Sequence, residues 1–106
     1  MIKLGFYFES STAEGRKLPL PEQDWQPYPP IFVKLLDKVE NLIGPTTRYR
    51  GWSDCRVCGK HNGSVEFTLN NFTWPEGYKH YIAEHNVHPP PNFVAMILDY
   101  LQIKPL

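Results

Sequence analysis

The sequence predicts a single small α+β domain whose centre is similar to a Cys2His2 zinc finger. Three observations predict this class: a set of two cysteines and two histidines, one segment with the apolar spacing of a helix, and short strand-like segments separated by turn residues. A chain of 106 residues can bury one core of modest size, which a bound metal would stabilise. We expect an N-terminal strand and two further helices to pack on a zinc knuckle, a β-hairpin and a short helix.

Residues 1–45 are expected to form a strand, a proline-rich loop and a helix. Apolar residues alternate with other residues from Ile2 to Phe8, which is the period of a half-buried strand. Residues 9–30 contain five prolines, which exclude a long helix there. A helix follows, and Gly44-Pro45 ends it. Its predicted apolar stripe consists of Ile31, Leu35, Leu36, Val39, Leu42 and Ile43.

Residues 46–106 are expected to hold the zinc-binding unit and a C-terminal helix. Residues 46–50 are rich in β-branched and aromatic side chains, which predicts a strand that leads to the cysteines. A turn is predicted at residues 60–62, between two glycines. Asn70-Asn71 then separates two strand-like segments, and its tolerance of positive φ suits a hairpin turn.

Two helices complete the predicted second half. Pro75 suits the first position of a short helix, and Asn86 suits a left-handed C-terminal cap. The last helix is predicted to open at Asn92. Its expected buried residues are Phe93, Met96, Ile97, Tyr100 and Leu101.

Cys55, Cys58, His80 and His85 are the predicted metal ligands. Both cysteines of the chain lie in one Cys-x-x-Cys motif, and the two histidines follow in the predicted short helix. Two thiolates and two imidazoles are a donor set that tetrahedral zinc accepts. Positions 80 and 85 lie about 140° apart on an ideal helix, so the last helical turn must tighten or unwind for both to reach one ion. The sequence predicts structural zinc as the cofactor.

Other interpretations of these residues compete with zinc. The Cys-x-x-Cys pair could be a redox pair, although such a pair usually opens a helix, whereas a glycine-rich turn and a hairpin follow here. The histidines could be favourable groups near a helix C-terminus, and the thiols small buried apolar groups. His61 and His88 are substitutes if one proposed ligand is wrong.

The motifs around these ligands resemble a family of small bacterial and phage proteins. The residues that carry the resemblance are Trp52-Ser53-Asp54-Cys55-Arg56-Val57-Cys58-Gly59, Asn62-Gly63, Trp74-Pro75-Glu76-Gly77-Tyr78-Lys79-His80-Tyr81-Ile82, His85-Asn86-Val87 and Pro90. They correspond to a Cys-x-x-Cys-Gly knuckle and a Trp-Pro-Glu-Gly helix that ends in two histidines. The resemblance covers about residues 46–94. It implies a zinc site and a bacterial or phage origin, and no particular activity.

Charge and hydropathy exclude some classes of partner and predict a location. Eleven basic residues balance eleven acidic ones, so the chain has no net positive charge that would attract nucleic acid or an anionic membrane. No apolar stretch approaches the roughly 20 residues needed to span a bilayer. The first residues do not have the pattern of a signal peptide. We therefore expect a cytoplasmic protein, in which a disulfide between the cysteines is disfavoured.

The function predicted from the sequence is a zinc-stabilised, non-catalytic module that binds a protein. Trp25, Tyr28, Arg50 and Trp52 are the predicted binding residues, because aromatic and arginine side chains in loops or near a knuckle are typical of interface cores. The partner is expected to be another protein or a second copy of this chain. An immunity, inhibitor, or bacterial or phage accessory role fits this class.

Two alternatives remain at this point. If only three ligands bind the ion, the open position could activate water in a zinc-dependent hydrolytic enzyme, with Glu76, Glu84, His61 or His88 as general base. A weak nucleic-acid-binding zinc finger is the second alternative, because four basic residues, Arg48, Arg50, Arg56 and Lys60, are interleaved with Tyr49 and Trp52.

Overall fold

A four-stranded mixed sheet forms one layer of the fold. The computed structural model of the chain describes residues 1–10 and 12–103. The strands are β1 (Ile2–Lys3), β2 (Thr47–Asp54), β3 (His61–Leu69) and β4 (Phe72–Pro75), in the sheet order β1-β4-β3-β2. Strands β2, β3 and β4 pair antiparallel, whereas β1 joins β4 in parallel, with Ile2 opposite Phe72.

Among the described residues, three α-helices pack on this sheet. They are α1 (Ile31–Ile43), α2 (Tyr78–His85) and α3 (Pro91–Tyr100), and a short 3₁₀ helix spans Gly15–Lys17. Helix α1 contacts α2, α3 and β3, so it holds the helical layer together. The mixed sheet and the helices therefore confirm the predicted α+β class. None of the described helices is long and apolar enough to cross a membrane.

The core lies between the helices and one face of the sheet. Val65 and Phe67 of β3 are buried and alternate with half-buried neighbours, as expected for a strand with one covered face. Trp74 of β4 is fully buried, and its ring centroid lies 5.0 Å from that of Phe93 of α3. Aromatic side chains therefore join the sheet to the last helix and supply much of the buried apolar area.

The first strand is shorter than its alternating pattern predicts. Gly5 has a φ of 78°, which ends the extended backbone after Lys3. A Cβ at this glycine would lie 2.7 Å from Cδ1 of Tyr78. Residue 5 thus allows the chain to pass closely over the first residue of α2, and this close contact replaces the predicted continuation of the strand.

Helix α1 ends before Gly44 as predicted, and its buried face agrees with the predicted stripe in part: Leu36 and Val39 are buried, and Leu35 and Ile43 are half-buried against the core. Phe32, Leu36 and Val39 are buried, as is Glu40, whereas Ile31 and Leu42 of the predicted stripe are exposed. The physical reason is that Glu40 has buried partners on other elements, described below. Because a charged residue is accommodated inside, the buried face includes Glu40 and Phe32 beside Leu36 and Val39 of the predicted stripe.

The hairpin and the helix ends agree with the sequence in part. Asn70 and Asn86 both have positive φ, at the predicted turn and at the predicted cap of α2. Pro75 instead ends β4, and α2 begins at Tyr78. The turn predicted at residues 60–62 is shorter than expected, because β3 already begins at His61. In α3, Phe93 and Ile97 are buried, Met96 and Leu101 are half-buried, and Tyr100 is exposed.

Candidate metal centre

The two cysteines lie in a tight turn between β2 and β3. We call residues 55–60 the knuckle. The amide of Gly59, which has a φ of 75°, donates to the carbonyl of Cys55 at 2.9 Å, and the amide of Cys55 donates to the carbonyl of Lys60 at 2.8 Å. The amides of Val57 and Cys58 lie 3.4 and 3.5 Å from the Sγ atom of Cys55. Both amides are thus directed at this sulfur as hydrogen-bond donors.

Helix α2 supplies the two histidines from its two ends. His80 lies in the first turn and His85 is the last helical residue. The amide of Asn86 donates to the carbonyl of Tyr81, five residues back, instead of the usual four. This wider final turn brings positions 80 and 85 nearer to one face of the helix, and their ring centroids lie 5.0 Å apart. The turn therefore unwinds, one of the two changes that the spacing requires.

The structure brings the four predicted ligands together. One donor atom from each of Cys55, Cys58, His80 and His85 lies within 4.8 Å of all the others. The Sγ atom of Cys58 and the Nε2 atom of His80 lie 3.3 Å apart. A tetrahedral ion with bonds of roughly 2.0–2.3 Å separates its ligand atoms by roughly 3.3–3.8 Å. Small side-chain shifts would thus complete such a shell, so the cluster could hold a metal ion.

The chemistry of the cluster also fits a metal. The Nε2 atom of His85 is buried and has no hydrogen-bond partner among the described residues, which is costly unless another group satisfies it. Burial lowers the pKa of His80, and the neighbouring His85 lowers this pKa further. A lowered pKa favours the neutral imidazole, which is the form that binds metals. Cys55 is buried and Cys58 is exposed, so the cluster lies just below the surface.

Tyr81 ties the knuckle to helix α2, and sequence reasoning missed this role. Its hydroxyl accepts a hydrogen bond of 2.7 Å from the amide of Arg56, between the two cysteines. The side chain of Arg56 donates to the carbonyls of Phe8 and Asp54. These bonds fix the knuckle against the N-terminal segment. The only sequence signal for Tyr81 was its position between the two histidines.

The substitute ligands His61 and His88 lie outside the cluster. His61 is exposed, its Nδ1 atom lies 2.6 Å from Oδ1 of Asp54, and its ring stacks on Trp52. The Nε2 atom of His88 donates to the carbonyl of Gln26 at 2.8 Å. Neither is part of the group of donors that could hold a metal ion among the described residues.

The predicted binding residues lie at several places on the surface. Trp25 is 85% exposed and Trp52 is 65% exposed. Tyr28 is half-buried and packs edge-on against Phe32, with ring centroids 5.6 Å apart. Arg50 is part of β2, and its side chain lies outside what the structure describes. Trp25 and Trp52 are therefore free to contact a partner, whereas Tyr28 contributes partly to the core.

A buried ion pair lies next to the four candidate metal ligands. The Nζ atom of Lys79 is 2.8 Å from Oε1 of Glu40 and 2.6 Å from Oδ1 of Asp37, and Nε1 of Trp74 donates to Oε2 of Glu40 at 2.8 Å. Burial raises the pKa of Glu40, against the opposite effect of Lys79 and Trp74. Burial lowers the pKa of Lys79, but its two carboxylate partners outweigh this and raise it. This network fixes α2 on α1 one residue before His80.

The fold and the site thus define a small α+β domain with a four-donor cluster suited to a metal. Comparison with models of known protein families found no match. Comparisons with curated proteins and with solved structures also found none. The resemblance described for residues 46–94 therefore rests on its motifs alone.

Proposed function

We propose that the protein is a zinc-stabilised, non-catalytic module that binds another protein. The convergence of two thiols and two imidazoles carries the metal part of the proposal, because this donor set forms closed tetrahedral zinc sites. Bound zinc would join the knuckle between β2 and β3 to helix α2. In so small a domain, such a joint supplies a large part of the folding free energy.

The donor count favours a structural over a catalytic ion. Four protein ligands leave no position on tetrahedral zinc for water. The carboxylate of Glu76, considered as a general base, accepts a hydrogen bond of 2.8 Å from the amide of Ser64. His61 lines a hollow that His80 also lines, and its contact with Asp54 would orient it as a base. A zinc-dependent hydrolytic enzyme thus remains the second candidate, and it requires that one of the four ligands leaves the ion.

Elemental analysis tests the metal. We expect one zinc per chain in purified protein, and loss of zinc with strong destabilisation for Cys55→Ser and Cys58→Ser. His61→Ala is the matched control and should retain zinc. Folded wild-type protein without zinc would refute the structural role. An X-ray absorption spectrum with three protein ligands and one water would instead support the enzyme.

The binding part of the proposal rests on Trp25. Its indole is 85% exposed, yet the neighbouring backbone is anchored: the amide of Asp24 donates to the carbonyl of Asn86 at 2.9 Å, and the carbonyl of Gln26 accepts from His88. An aromatic side chain has few rotatable bonds, and on an anchored backbone it loses little conformational entropy on association, which suits an interface. Trp52, near the knuckle, is the second exposed indole.

A pull-down from bacterial lysate tests this part. Because the predicted roles are an immunity, inhibitor or accessory protein, the partner should be a protein recovered with wild type and lost with Trp25→Ala. Leu42→Ala is the control, since Leu42 is also exposed, at 60%, but lies on α1. Zinc content and melting temperature should be unchanged in both variants. Equal recovery with wild type and Trp25→Ala would remove the proposed contact.

A further inference from the structure

The two cysteines are placed for a disulfide as well as for a metal. The Sγ atoms of Cys55 and Cys58 belong to the four donor atoms that lie within 4.8 Å of one another. The amide of Gly59 donates to the carbonyl of Cys55, which is the hydrogen bond of one helical turn. In such a turn the Cα atoms of residues i and i+3 lie roughly 5 Å apart, within the range of about 4.4–6.8 Å that a disulfide needs. A bond between the two sulfurs therefore requires rotation of the side chains and little movement of the backbone.

The two thiols differ in how easily a reagent in solution can reach them. Cys58 is exposed, whereas Cys55 is buried, with 3% of its surface exposed. Oxidation of a cysteine follows its exposure and its thiolate character. Cys58 is therefore the thiol that an oxidant meets first, and Cys55 is the second thiol, held beside it in the knuckle.

Zinc binding would keep the exposed sulfur reactive. Zinc binds cysteine as the thiolate, and the thiolate is also the form that peroxides attack. The Nε2 atom of His80 lies 3.3 Å from Sγ of Cys58, so this histidine covers one side of the sulfur. The remaining exposure of Cys58 leaves another side open to solvent. Since the chain contains two cysteines, an intramolecular disulfide can form only between Cys55 and Cys58.

We propose that Cys58 is an oxidation site for hydrogen peroxide, and that Cys55 converts the oxidised sulfur to a disulfide, with release of the metal. The reaction rests on the metal part of the proposed function and names a regulation of the same site. The redox and the zinc interpretations of the Cys-x-x-Cys motif then describe the oxidised and the reduced state of one pair.

Two steps complete the oxidation. The Sγ atom of Cys58 attacks one oxygen of the peroxide, so that an S–O bond forms, the O–O bond breaks and hydroxide leaves. The Sγ atom of Cys55 then attacks the sulfur of this sulfenic acid, so that the S–S bond forms, the S–O bond breaks and a second hydroxide leaves. The two sulfurs together lose two electrons, which the peroxide oxygens gain, and both hydroxides take a proton from solvent.

The disulfide removes half of the metal ligands. His80 and His85 are the donors that remain, and two imidazoles without the thiolates do not form a closed zinc site. Oxidation would therefore release the ion that joins the knuckle to helix α2. A dithiol reductant would restore both thiols, so the change should be reversible.

Peroxide titration of zinc-loaded protein, with a chromogenic chelator to detect free zinc, is the test. Zinc content is measured first, because folded protein that never held zinc would refute the metal part of the proposed function and this reaction with it. About one zinc should be released per peroxide consumed, since one two-electron oxidation forms one disulfide. Mass spectrometry should find Cys55 linked to Cys58, and dithiothreitol with added zinc should restore the metal.

The order of the two steps is tested by labelling. Dimedone, which captures sulfenic acids, should label Cys58 and not Cys55 at short reaction times. This measurement uses wild type and does not depend on the folding of a variant. Cys58→His retains a zinc-binding side chain without a thiol, so it should keep its zinc at a peroxide dose that empties wild type. Met96→Leu is the matched control, because methionine is the other oxidisable residue type, and it should release zinc like wild type.

Four results would overturn the reaction while leaving the proposed zinc site intact. Zinc-loaded wild type that keeps its metal under peroxide would do so, as would dimedone labelling of Cys55 before Cys58. Zinc release with sulfinic or sulfonic acid in place of a disulfide would show that Cys55 does not act as the second thiol. A disulfide between two copies of the chain would place the second thiol on another molecule.

Discussion

Replacing Lys79 by methionine should be among the most damaging changes outside the metal ligands. The substitution keeps the length of the side chain but leaves the carboxylate of Glu40, whose side chain is 3% exposed, without its cation. Removing one partner of a buried ion pair costs about 3–5 kcal/mol, since the remaining charge is buried uncompensated. Asp37 is the control: its side chain is 55% exposed, so Asp37→Asn should cost less than about 1 kcal/mol.

The effect of Lys79→Met should depend on pH. Burial already raises the pKa of Glu40 above its ordinary value of 4.5, and loss of Lys79 raises it further. A carboxyl group whose pKa is raised by folding contributes stability below its unfolded pKa, and this contribution is lost as pH rises through its folded pKa. The free energy of unfolding of the variant should therefore fall, relative to wild type, as pH rises from the raised pKa of Glu40 in wild type to the still higher pKa in the variant.

Urea denaturation followed by tryptophan fluorescence measures both effects. Glu40→Gln removes the charge, and the double variant Glu40→Gln, Lys79→Met should recover much of the stability lost with Lys79→Met alone. Zinc content must be equal in all variants, because Lys79 precedes a predicted ligand. A Lys79→Met variant no less stable than Asp37→Asn at pH 7.5 would refute the assignment of a buried pair.

Three further outcomes are expected. Tyr81→Phe should leave the fold intact but weaken zinc binding about 10–100-fold in a chelator competition, because the amide of Arg56 loses its acceptor; unchanged affinity would contradict this role. Gly5→Ala should lower the melting temperature and cost more than about 1 kcal/mol, since residue 5 has positive φ and lies against Tyr78; a neutral effect in calorimetry would show that the segment can shift. Binding to DNA or RNA should be weak and lost at about 0.15 M salt; submicromolar binding that depends on Arg48 would favour a nucleic-acid partner.

The candidate metal centre could be predicted from the sequence because the residue types of its ligands reveal it directly. Few residue types bind zinc, and their order along the chain matches a knuckle followed by a helix. The C-terminal cap at Asn86 could also be predicted, since asparagine tolerates the left-handed backbone conformation. The sequence required that the final turn of α2 tighten or unwind, but it did not reveal that the turn unwinds. That turn depends on hydrogen bonds that no spacing rule contains.

The errors in the predicted fold arise where a distant partner decides the local structure. The burial of Glu40 on α1 depends on Lys79 and Trp74, both far from Glu40 in the sequence. The end of β1 depends on the close approach of Gly5 to Tyr78. Hydrophobic periodicity predicts which face of a helix or strand turns to an apolar core, whatever residues form that core. Periodicity cannot show that a glycine or a charged residue is required by one particular neighbour far away in the sequence.

The parallel pairing of β1 with β4 has a consequence for folding kinetics. Ile2 leaves the ribosome well before its partner Phe72, so the sheet edge that β1 covers is completed only after the β2–β3–β4 meander exists. Contacts between residues so far apart in the chain slow folding, because loop closure must come first. Until then the edge of β4 can pair with another nascent chain. Early metal capture would shorten this interval, because it would join the knuckle to α2, which follows β4 in the chain, before the N-terminal segment docks.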